Sequence, residues 1–410
     1  MDDHSSHGAV QAPLSPGRFF GYRLLGGGVI VLLVVAVAAA SAAGSPLRAG
    51  APELSDGPGI VFLAALAGAF VLYVLALLGL LRRRGSLVVV CAIAAAIQLV
   101  PLTGPLLLSR DVHAYWAYGR IADKHGANPY SAAPAHFGAD PAVRAMAPGW
   151  RRTESVYGPV FTAASAGLAG ATGRSAETSA FVYRALAALG MLVLVGVAAA
   201  AAPRRAFAAA FVGWNPLLAV HFAGGGHNDV WIAVFLLGAL ALAARGRASL
   251  SGVSWALAAG LKWVPLALLP LSLLARRRDA VRTAAWFAAG AGAIAAGAFA
   301  LFGTAWITAL LPFAHRHAGY ALPSRLAELD LPGWLALVPL LVAGPWLVQA
   351  AQRGRARLGL TSILMLCASP WVLPWYAVWV VPLAAVEEDG LAWVLALAVS
   401  AYLLPDRVPL

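Results

Sequence analysis

Two uncharged stretches near the start of the chain decide its fold. They are Gly26–Ala43, GGGVIVLLVVAVAAASAA, and Ile60–Leu81, IVFLAALAGAFVLYVLALLGLL. A helix needs roughly 20 consecutive apolar residues to cross a hydrocarbon core of about 30 Å. Further apolar runs, such as Gly190–Ala202, follow along the chain. The sequence therefore predicts an all-α, polytopic integral membrane protein built as one large helical bundle.

Composition agrees with this class and excludes a soluble one. The 410 residues are 61% hydrophobic and 11% charged, with a mean hydropathy of +0.79. A soluble domain of this length needs far more charged surface. The net charge of +12 lies in short basic clusters between apolar runs, which is typical of cytoplasmic loops and not of a nucleic-acid-binding stripe. These clusters are Arg82–Arg84, Arg204–Arg205, Arg245 with Arg247, Arg276–Arg278, and Arg353 with Arg355 and Arg357.

The order of polar and apolar segments predicts a topology. Residues 1–18 are polar and begin with two aspartates, so we expect a disordered cytoplasmic tail and not a secretory signal. Residues 19–410 then form a single transmembrane domain with roughly eleven to thirteen membrane segments. Alternating orientation places residues 109–156 outside as a first external loop, and residues 303–332 outside as a second.

Some apolar segments are irregular. Residues 157–172 are short of a comfortable span and predict a re-entrant or interfacial helix. Lys262 and Pro265 interrupt the stretch 249–275, which predicts two half-helices that enter and leave from the cytoplasm. By contrast, 206–223 and 358–386 are expected to be continuous membrane runs.

The first external loop contains much of the ionisable chemistry. Its motifs are RDVHAYWAYGR (110–120), GANPY (126–130) and VYGPV (156–160). An isolated aspartate such as Asp111 could simply cap or solvate a helix end. Here it stands with turn signals and aromatic residues, which favours a functional site.

These motifs resemble the first external loop of GT-C glycosyltransferases. The likeness is greatest to the actinobacterial polyprenol-phosphate-mannose-dependent α-mannosyltransferases and to glycosyltransferase family 87. It continues in WNPL (214–217), GGGHND (224–229), GLKWVP (260–265) and PWYAVW (374–379). Each motif is weak alone, but their order and spacing are fairly specific from about residue 109 to 382. The N-terminal tail and the last span contribute nothing to it.

The resemblance implies that Asp111 is the catalytic base. A polyprenyl phosphate departs already ionised, so no general acid is required. The acceptor hydroxyl must lose its proton as it attacks the anomeric carbon, and a carboxylate that takes this proton typically contributes about 10²–10⁴ in rate. One carboxylate and a single displacement imply inversion of the sugar.

The departing phosphate calls for fixed positive charge. The donor phosphate-binding candidates are Arg110, Arg184, Lys262, Arg316 and Arg325. Alternatives stay open for several of them. Arg316, between His315 and His317, could be part of a solvated loop end. Arg184 could face a wet cavity or extend to the membrane surface, and Lys262 could satisfy carbonyls freed by its helix break.

Sugar or acceptor contacts are predicted for a second set of polar residues. They are His113, Tyr115, Tyr157, His227, Asn228 and Asp229. Trp116, Tyr118, Tyr130, Trp375 and Tyr376 are expected mostly at the membrane interface, where one or two could stack on a sugar. No metal site and no cofactor are predicted, because three or four ligands at familiar spacing are lacking. A divalent cation stays an open alternative.

Together these features predict an inverting mannosyltransferase of the plasma membrane, with a cytoplasmic N-terminus and an external site. Its partners would be a polyprenyl-phosphate-linked sugar donor, a lipid-linked glycan acceptor and membrane lipids, with no nucleic acid. Two alternatives remain: a GT-C transferase of another sugar such as arabinofuranose, and a transporter or flippase of polyprenyl-linked glycans. Ionisable residues concentrated in one external loop favour the enzyme.

Overall fold

The chain folds into a helical membrane bundle, which confirms the predicted all-α class. The computed structural model describes residues 21–49, 57–82, 85–308 and 318–409. Within these ranges the only strand-like pairing is one bridge between Arg48 and Leu107. The first helices are α1 (Gly21–Ser41), α2 (Gly57–Arg82), α3 (Leu87–Leu99), α4 (Asp111–Asp123), α5 (Pro141–Ala145), α6 (Pro159–Thr172), α7 (Ala176–Ala201), α8 (Arg205–Gly213), α9 (Pro216–Ala219) and α10 (Asp229–Ala244).

The second half of the chain has the same character. Its helices are α11 (Ala248–Leu261), α12 (Leu269–Ala275), α13 (Arg277–Phe302), α14 (Ala305–Thr308), α15 (Leu322–Ala327), α16 (Val338–Gln352), α17 (Leu358–Ala368), α18 (Val381–Glu387) and α19 (Gly390–Leu403). The predicted tail, residues 1–18, lies outside the described residues, as does 309–317 of the predicted second external loop.

Five helices are long and apolar enough to cross a membrane by length and composition. They are α1, α2, α7, α13 and Gly333–Gln352, which includes α16. A sixth candidate is the bent pair Arg205–Gly213 and Pro216–Gly224. Five shorter apolar helices accompany them: Leu87–Thr103, Asp229–Ala244, Ala248–Leu261, Leu358–Ala368 and Gly390–Leu403. The described part of the chain is therefore a multi-pass membrane protein.

Two runs expected to be continuous are broken. The run 206–223 bends by 51° between α8 and α9, because Pro216 cannot continue the helix. The run 358–386 stops at Ala368, passes through a nonhelical segment that contains Pro370, and resumes with a 3₁₀ turn, Pro374–Trp379. The second break contributes Trp371, Leu373, Trp375 and Tyr376 to the site described below.

Side chains from neighbouring helices satisfy the backbone groups that the first break leaves free. Tyr73 donates to the Phe211 carbonyl at 2.6 Å, and Gln98 donates to the Gly213 carbonyl at 3.0 Å. Asn215 caps α9 by accepting from the amide of Leu217 at 3.1 Å. Unpaired backbone is costly in a bilayer, so these bonds allow the span to bend inside the protein.

The interruption predicted at Lys262 is present. Helix α11 ends at Leu261, Lys262 is extended, and a short 3₁₀ turn, Val264–Ala267, leads into α12. Pro265 lacks the amide hydrogen that a continuous helix would need, which explains the break. Lys262 therefore lies in an extended segment between two helices and not within a continuous helix.

Arginines from four of the five clusters lie near one another at one end of the bundle. Arg204 pairs with Glu388, Arg245 donates to the Ala200 carbonyl, and a cavity beside them is lined by Arg276. Helix α10 ends among these groups, and it begins at Asp229 in the candidate site. With 16 residues, α10 separates the two ends by about 24 Å.

The segment 109–156 is not an open loop but a folded layer that packs on α6. Arg120 on α4 forms a buried ion pair with Asp140 at 2.9 Å, and His125 contacts the same carboxylate at 2.9 Å. Helix α6 has 14 residues, about 21 Å, which is less than a hydrocarbon core. It packs on α4 so closely that a Cβ at Gly119 would lie 2.1 Å from the Ser165 carbonyl oxygen.

Candidate functional site

A cavity of about 230 Å³ lies where α4, the start of α6, the start of α10, the helix break at Lys262 and the segment 371–376 meet. Its ionisable and hydroxyl-bearing lining consists of Asp111, Tyr115, Tyr157, Asp229, Lys262 and Tyr376. Four tryptophans complete much of the wall: Trp150, Trp263, Trp371 and Trp375. The cavity is thus a carboxylate- and ammonium-bearing pocket inside an aromatic frame, a lining suited to a polar ligand with flat apolar faces.

Asp111 is the first residue of α4, and its backbone amide donates to the Ser109 hydroxyl at 3.2 Å. The side chain is 22% exposed, toward the cavity that it lines. Burial raises the pKa of Asp111, while hydrogen bonding to Ser109 and the positive charge of Arg407 lower it. The net effect is a pKa above the ordinary 3.8, which makes this carboxylate a better proton acceptor than an exposed one.

Lys262 is the cation that lines the cavity. Its ammonium donates to Asp229 at 2.9 Å and to the Tyr376 hydroxyl at 3.3 Å. It also lies 4.5 Å from the centre of the Tyr376 ring and 4.9 Å from that of Trp379. An ammonium has three donors, and these contacts use two of them. Because 24% of the side chain is exposed, the third can serve a ligand.

A close backbone approach fixes the position of Lys262. The Gly158 amide donates to the Leu261 carbonyl at 3.0 Å, just before the lysine. A Cβ at Gly158 would lie 2.2 Å from the Gly260 carbonyl oxygen, so only glycine fits there. The VYGPV and GLKWVP motifs therefore meet through backbone atoms and bring Tyr157 and Lys262 to one cavity.

Aromatic side chains form the floor beside Asp111. The Tyr115 ring lies 5.0 Å from that of Tyr157, nearly perpendicular, and 4.9 Å from that of Phe161. The Tyr115 hydroxyl donates to the Asn228 side-chain oxygen at 3.4 Å. Edge-to-face packing of this kind holds rings in fixed orientations. Tyr115 and Tyr157 are thus rigid parts of the lining.

Two of the predicted sugar-binding residues lie behind the cavity wall. His227 is fully buried and stacks on Trp375, with ring centres 3.5 Å apart and planes 13° apart. Asn228 is buried and holds Tyr115. Their neighbour Asp229 does line the cavity. The GGGHND turn therefore presents one side chain to the cavity and uses the other two to support it.

Other predicted residues lie away from the cavity lining. The Arg184 guanidinium is buried and donates to the carbonyls of Ala223 and Pro101. Arg325 pairs with Glu328 at 2.8 Å on the surface. Neither side chain is among the cavity's lining groups, and their predicted contact with a donor phosphate is not supported by this arrangement.

The remaining predicted site residues are His113, Arg110 and Arg316, and the two that the structure describes are not found in the cavity lining. His113 is half-buried on α4 and does not line the cavity. Burial, and to a smaller extent the charge of Arg110, lower the pKa of His113 to about 4, so the ring is neutral near pH 7. Arg110 immediately precedes α4 and is also absent from the cavity lining. Arg316, with its histidine neighbours, lies outside the described residues.

Some lining residues had no assigned role from the sequence. Trp150, Trp263 and Trp371 come from three separate segments, and nothing in their spacing marked them. Trp375 and Tyr376 were expected mostly at the membrane interface, yet both are buried at the cavity. Arg407, whose charge acts on Asp111, follows the last helix. The GLKWVP motif contains Trp263, and the PWYAVW motif contains Trp375 and Tyr376, so the resemblance indicated these two segments but no definite role for their tryptophans.

Across residues 21–49, 57–82, 85–308 and 318–409, no group of three or more His, Cys, Asp or Glu side chains could hold a metal ion. The described cavity presents carboxylates, an ammonium and hydroxyl groups. Asp111 can accept a proton, and Lys262 can bind an anion.

Comparison with known proteins places the sequence among sugar transferases. Residues 23–278 match a family model described as alpha-(1->6)-mannopyranosyltransferase, N-terminal domain. A probable alpha-(1->6)-mannopyranosyltransferase of Mycolicibacterium smegmatis is 31% identical over 151 residues, which are 35% of this chain and 27% of the relative. An alpha-(1->6)-mannopyranosyltransferase of Mycobacterium tuberculosis is 29% identical over 151 residues, 35% of this chain and 25% of the relative.

A third similar protein has the same described activity. Alpha-(1->6)-mannopyranosyltransferase B of Corynebacterium glutamicum is 31% identical over 176 residues, 41% of this chain and 28% of that protein. The alignments thus span about a quarter of the length of these relatives. No solved structure matches the chain.

Proposed function

Because the chain belongs to the alpha-(1->6)-mannopyranosyltransferase family, we propose that it transfers mannose from a polyprenyl-phosphate carrier to a lipoglycan or glycolipid acceptor. One observation carries the proposal: the Asp111 carboxylate and the Lys262 ammonium line the same aromatic cavity. Glycosyl transfer from a phosphate needs a proton acceptor on one side of the anomeric carbon and positive charge on the other.

The reaction follows from these two groups. The acceptor oxygen attacks the anomeric carbon and forms the new C–O bond, while the bond from that carbon to the phosphate oxygen breaks. Asp111 takes the acceptor's hydroxyl proton, and the electron pair of the broken bond leaves on the phosphate, where Lys262 stabilises the charge. A single displacement inverts the configuration, so a β-linked carrier sugar gives an α-linked product.

A second cavity supports a lipid-linked donor. It has a volume of about 130 Å³ and a largely apolar lining that includes Ile232, Leu236, Leu268 and Met365. Val264 lines both this cavity and the catalytic one, and Trp379 of the apolar cavity lies beside the Lys262 ammonium. The order of carboxylate cavity, ammonium and apolar cavity matches the order of sugar, phosphate and isoprenoid in the proposed donor.

The position of the site supports chemistry at the outer face of the plasma membrane. Arginine clusters collect at one end of α10, and Asp229 lies at the other. The positive-inside rule assigns the arginine-rich end to the cytoplasm. The cavity then faces outward, the helix α1 starts inside, and a lipid donor reaches the cavity laterally from the bilayer.

Sugar transfer in membranes of cells that express the chain tests the proposal. Radiolabelled polyprenyl-phosphate mannose is supplied, and the lipid and lipoglycan fractions are extracted. We expect labelled acceptor that is absent from membranes without the chain. Transfer from polyprenyl-phosphate arabinose but not mannose would overturn the donor sugar and keep the reaction class. No transfer from either donor, with movement of labelled lipid between leaflets, would favour a flippase.

A further inference from the structure

His227 has an unusual environment for a buried polar ring. It is fully buried, and neither ring nitrogen has a hydrogen-bond partner among the described residues. Its Nδ1 nevertheless lies 3.5 Å from Oδ2 of Asp111, just beyond normal hydrogen-bond length. Buried polar atoms without partners are uncommon in folded proteins, and one that lies beside the Asp111 carboxylate calls for an explanation.

The surroundings hold the ring in this orientation. One face stacks on Trp375 at 3.5 Å. The preceding residue, Gly226, has φ +75°, and a Cβ there would lie 2.4 Å from Val112 on α4. The turn that carries His227 is therefore pressed against the helix that begins with Asp111. A shift of a few tenths of an ångström would bring the two side chains into hydrogen-bond contact.

We propose that His227 is a positioning residue for Asp111: its neutral imidazole donates from Nδ1 to Oδ2 of the carboxylate and leaves the other oxygen to take the acceptor's proton. This inference rests on the proposed function, because it assigns Asp111 the role of base. His227 keeps its own proton throughout, so the proton balance of the transfer is unchanged. Its contribution is to fix the orientation of the carboxylate and to stabilise its charged form.

Burial supports a neutral ring. Burial, followed by the charges of His221, Lys262 and Arg407, lowers the pKa of His227 well below its ordinary value. A neutral imidazole has one N–H, and a hydrogen bond to a carboxylate selects the tautomer that carries it on Nδ1. In other proteins, a hydrogen bond between an imidazole N–H and a carboxylate likewise fixes the tautomer and the orientation of the ring.

A pH test must account for every group that faces Asp111. These groups come from six elements and their flanking turns: Ser109, Tyr115, Tyr157, Asp229, Lys262, Tyr376 and Arg407. All of them are retained in variants at position 227. A change in the acidic limb of the rate profile can then be attributed to the hydrogen bond from His227.

Two substitutions separate hydrogen bonding from stacking. His227→Asn keeps an N–H near the position of Nδ1 but removes the ring, whereas His227→Phe keeps a ring for Trp375 but removes the donor. Both are purified in detergent with the wild type and compared by thermal unfolding and by kcat and KM for polyprenyl-phosphate mannose across pH. His221→Leu, at a neighbouring buried histidine whose ring lies 6.0 Å from that of His227, is the control.

We expect His227→Phe to lose roughly 10- to 100-fold in kcat with little change in donor KM. Its acidic limb should move to higher pH, because a carboxylate that loses a donor is harder to ionise. His227→Asn should keep the wild-type limb, as should His221→Leu. If His227→Phe does not fold, His227→Leu is the second variant without a donor.

Two results would overturn the positioning role. One is a wild-type pH profile in the folded variant that lacks a donor. The other is a loss in His227→Asn that exceeds the loss in the ring-bearing variant, which would assign the effect to stacking. Failure of the proposed function is distinguishable, because the wild type itself would then transfer no mannose.

Discussion

The ammonium of Lys262 lies 2.9 Å from the carboxylate of Asp229, although 33 positions separate the two residues in the chain. Asp229 is buried, with 2% of its side chain exposed at the cavity, so the lysine neutralises a charge that has little access to water. The same ammonium contacts Tyr376, 114 positions away, and lines the cavity. Lys262 therefore combines a structural role with the proposed role in binding the donor phosphate.

Removing only Lys262 should destabilise the protein. Lys262→Met leaves the Asp229 carboxylate buried without its cation, a change that typically costs about 3–5 kcal/mol. We expect a clear drop in the thermal unfolding midpoint. The double variant Lys262→Met with Asp229→Asn should recover much of this stability but no activity. Recovery of both would show that Lys262 has no role beyond pairing with Asp229.

Asp111→Asn should abolish transfer while leaving donor binding intact. The amide cannot accept the hydroxyl proton, so turnover should fall by at least about 10²–10⁴. Labelled polyprenyl-phosphate mannose should still bind purified protein. A variant that transfers mannose at the wild-type rate would remove Asp111 from the mechanism.

The activity of the wild type should also decline toward acid. Burial raises the pKa of Asp111, so the carboxylate becomes protonated at a pH above the ordinary 3.8. Protonation removes the base, and kcat/KM should fall as pH decreases through this raised value. A profile that stays flat down to pH 4 would contradict this assignment.

Gly158→Ala tests the contact between the two motifs. The added Cβ would lie 2.2 Å from the Gly260 carbonyl oxygen, and the backbone next to Lys262 must move to relieve it. A displacement of about 1 Å can cost up to about 10²-fold in rate. Gly167→Ala is the matched control on α6, because a Cβ there meets nothing within 4 Å. Equal activity of the two variants would contradict the prediction.

Arg184 should matter for folding and not for donor affinity. Arg184→Met leaves the carbonyls of Ala223 and Pro101 without donors, at a cost of about 1–3 kcal/mol for each unsatisfied group. We expect lower thermal stability and an unchanged KM for the donor in the folded fraction. The exposed Arg174, two residues before α7, provides the control substitution Arg174→Met. A large rise in donor KM would return Arg184 to the phosphate-binding role.

Stability of the folded layer 109–156 should depend on Asp140. Burial alone raises the pKa of this carboxylate, but hydrogen bonds from Arg120 and His125 outweigh burial and lower it below 3.8. The stabilisation is therefore complete above pH 3.8 and disappears as pH falls through the lowered value. Protection against hydrogen exchange in residues 111–156, taken relative to the intrinsic exchange rate at each pH, should fall at that acidic pH, and Asp140→Asn should show the lower protection already at neutral pH. Asp123→Asn, at a largely exposed pair with Lys124, should not.

Local sequence was sufficient for the features that depend on neighbouring residues. Long uncharged runs predicted the membrane helices, because the bilayer excludes unpaired backbone and charge. Pro265 after Lys262 predicted the break between α11 and α12. The sequence analysis predicted continuous runs at Pro216 and Pro370, although proline interrupts the helix there for the same reason as at Pro265. Both prolines lie within strongly apolar runs, and the hydropathy of such a run is that of a continuous span whether or not a proline interrupts it.

The sequence by itself determined the class and the motifs whose likeness led to the family, but it did not predict α4, the helix that begins at Asp111 within the expected loop. The class and the motifs are properties of composition and of residues close in the chain. Only the tertiary structure decided which polar side chains share a cavity. It paired Lys262 with Asp229, directed Arg184 to backbone carbonyls, and placed His227 behind Asp111. The physical reason is that burial leaves each charged or polar group dependent on partners from distant helices, and sequence spacing does not encode those partners.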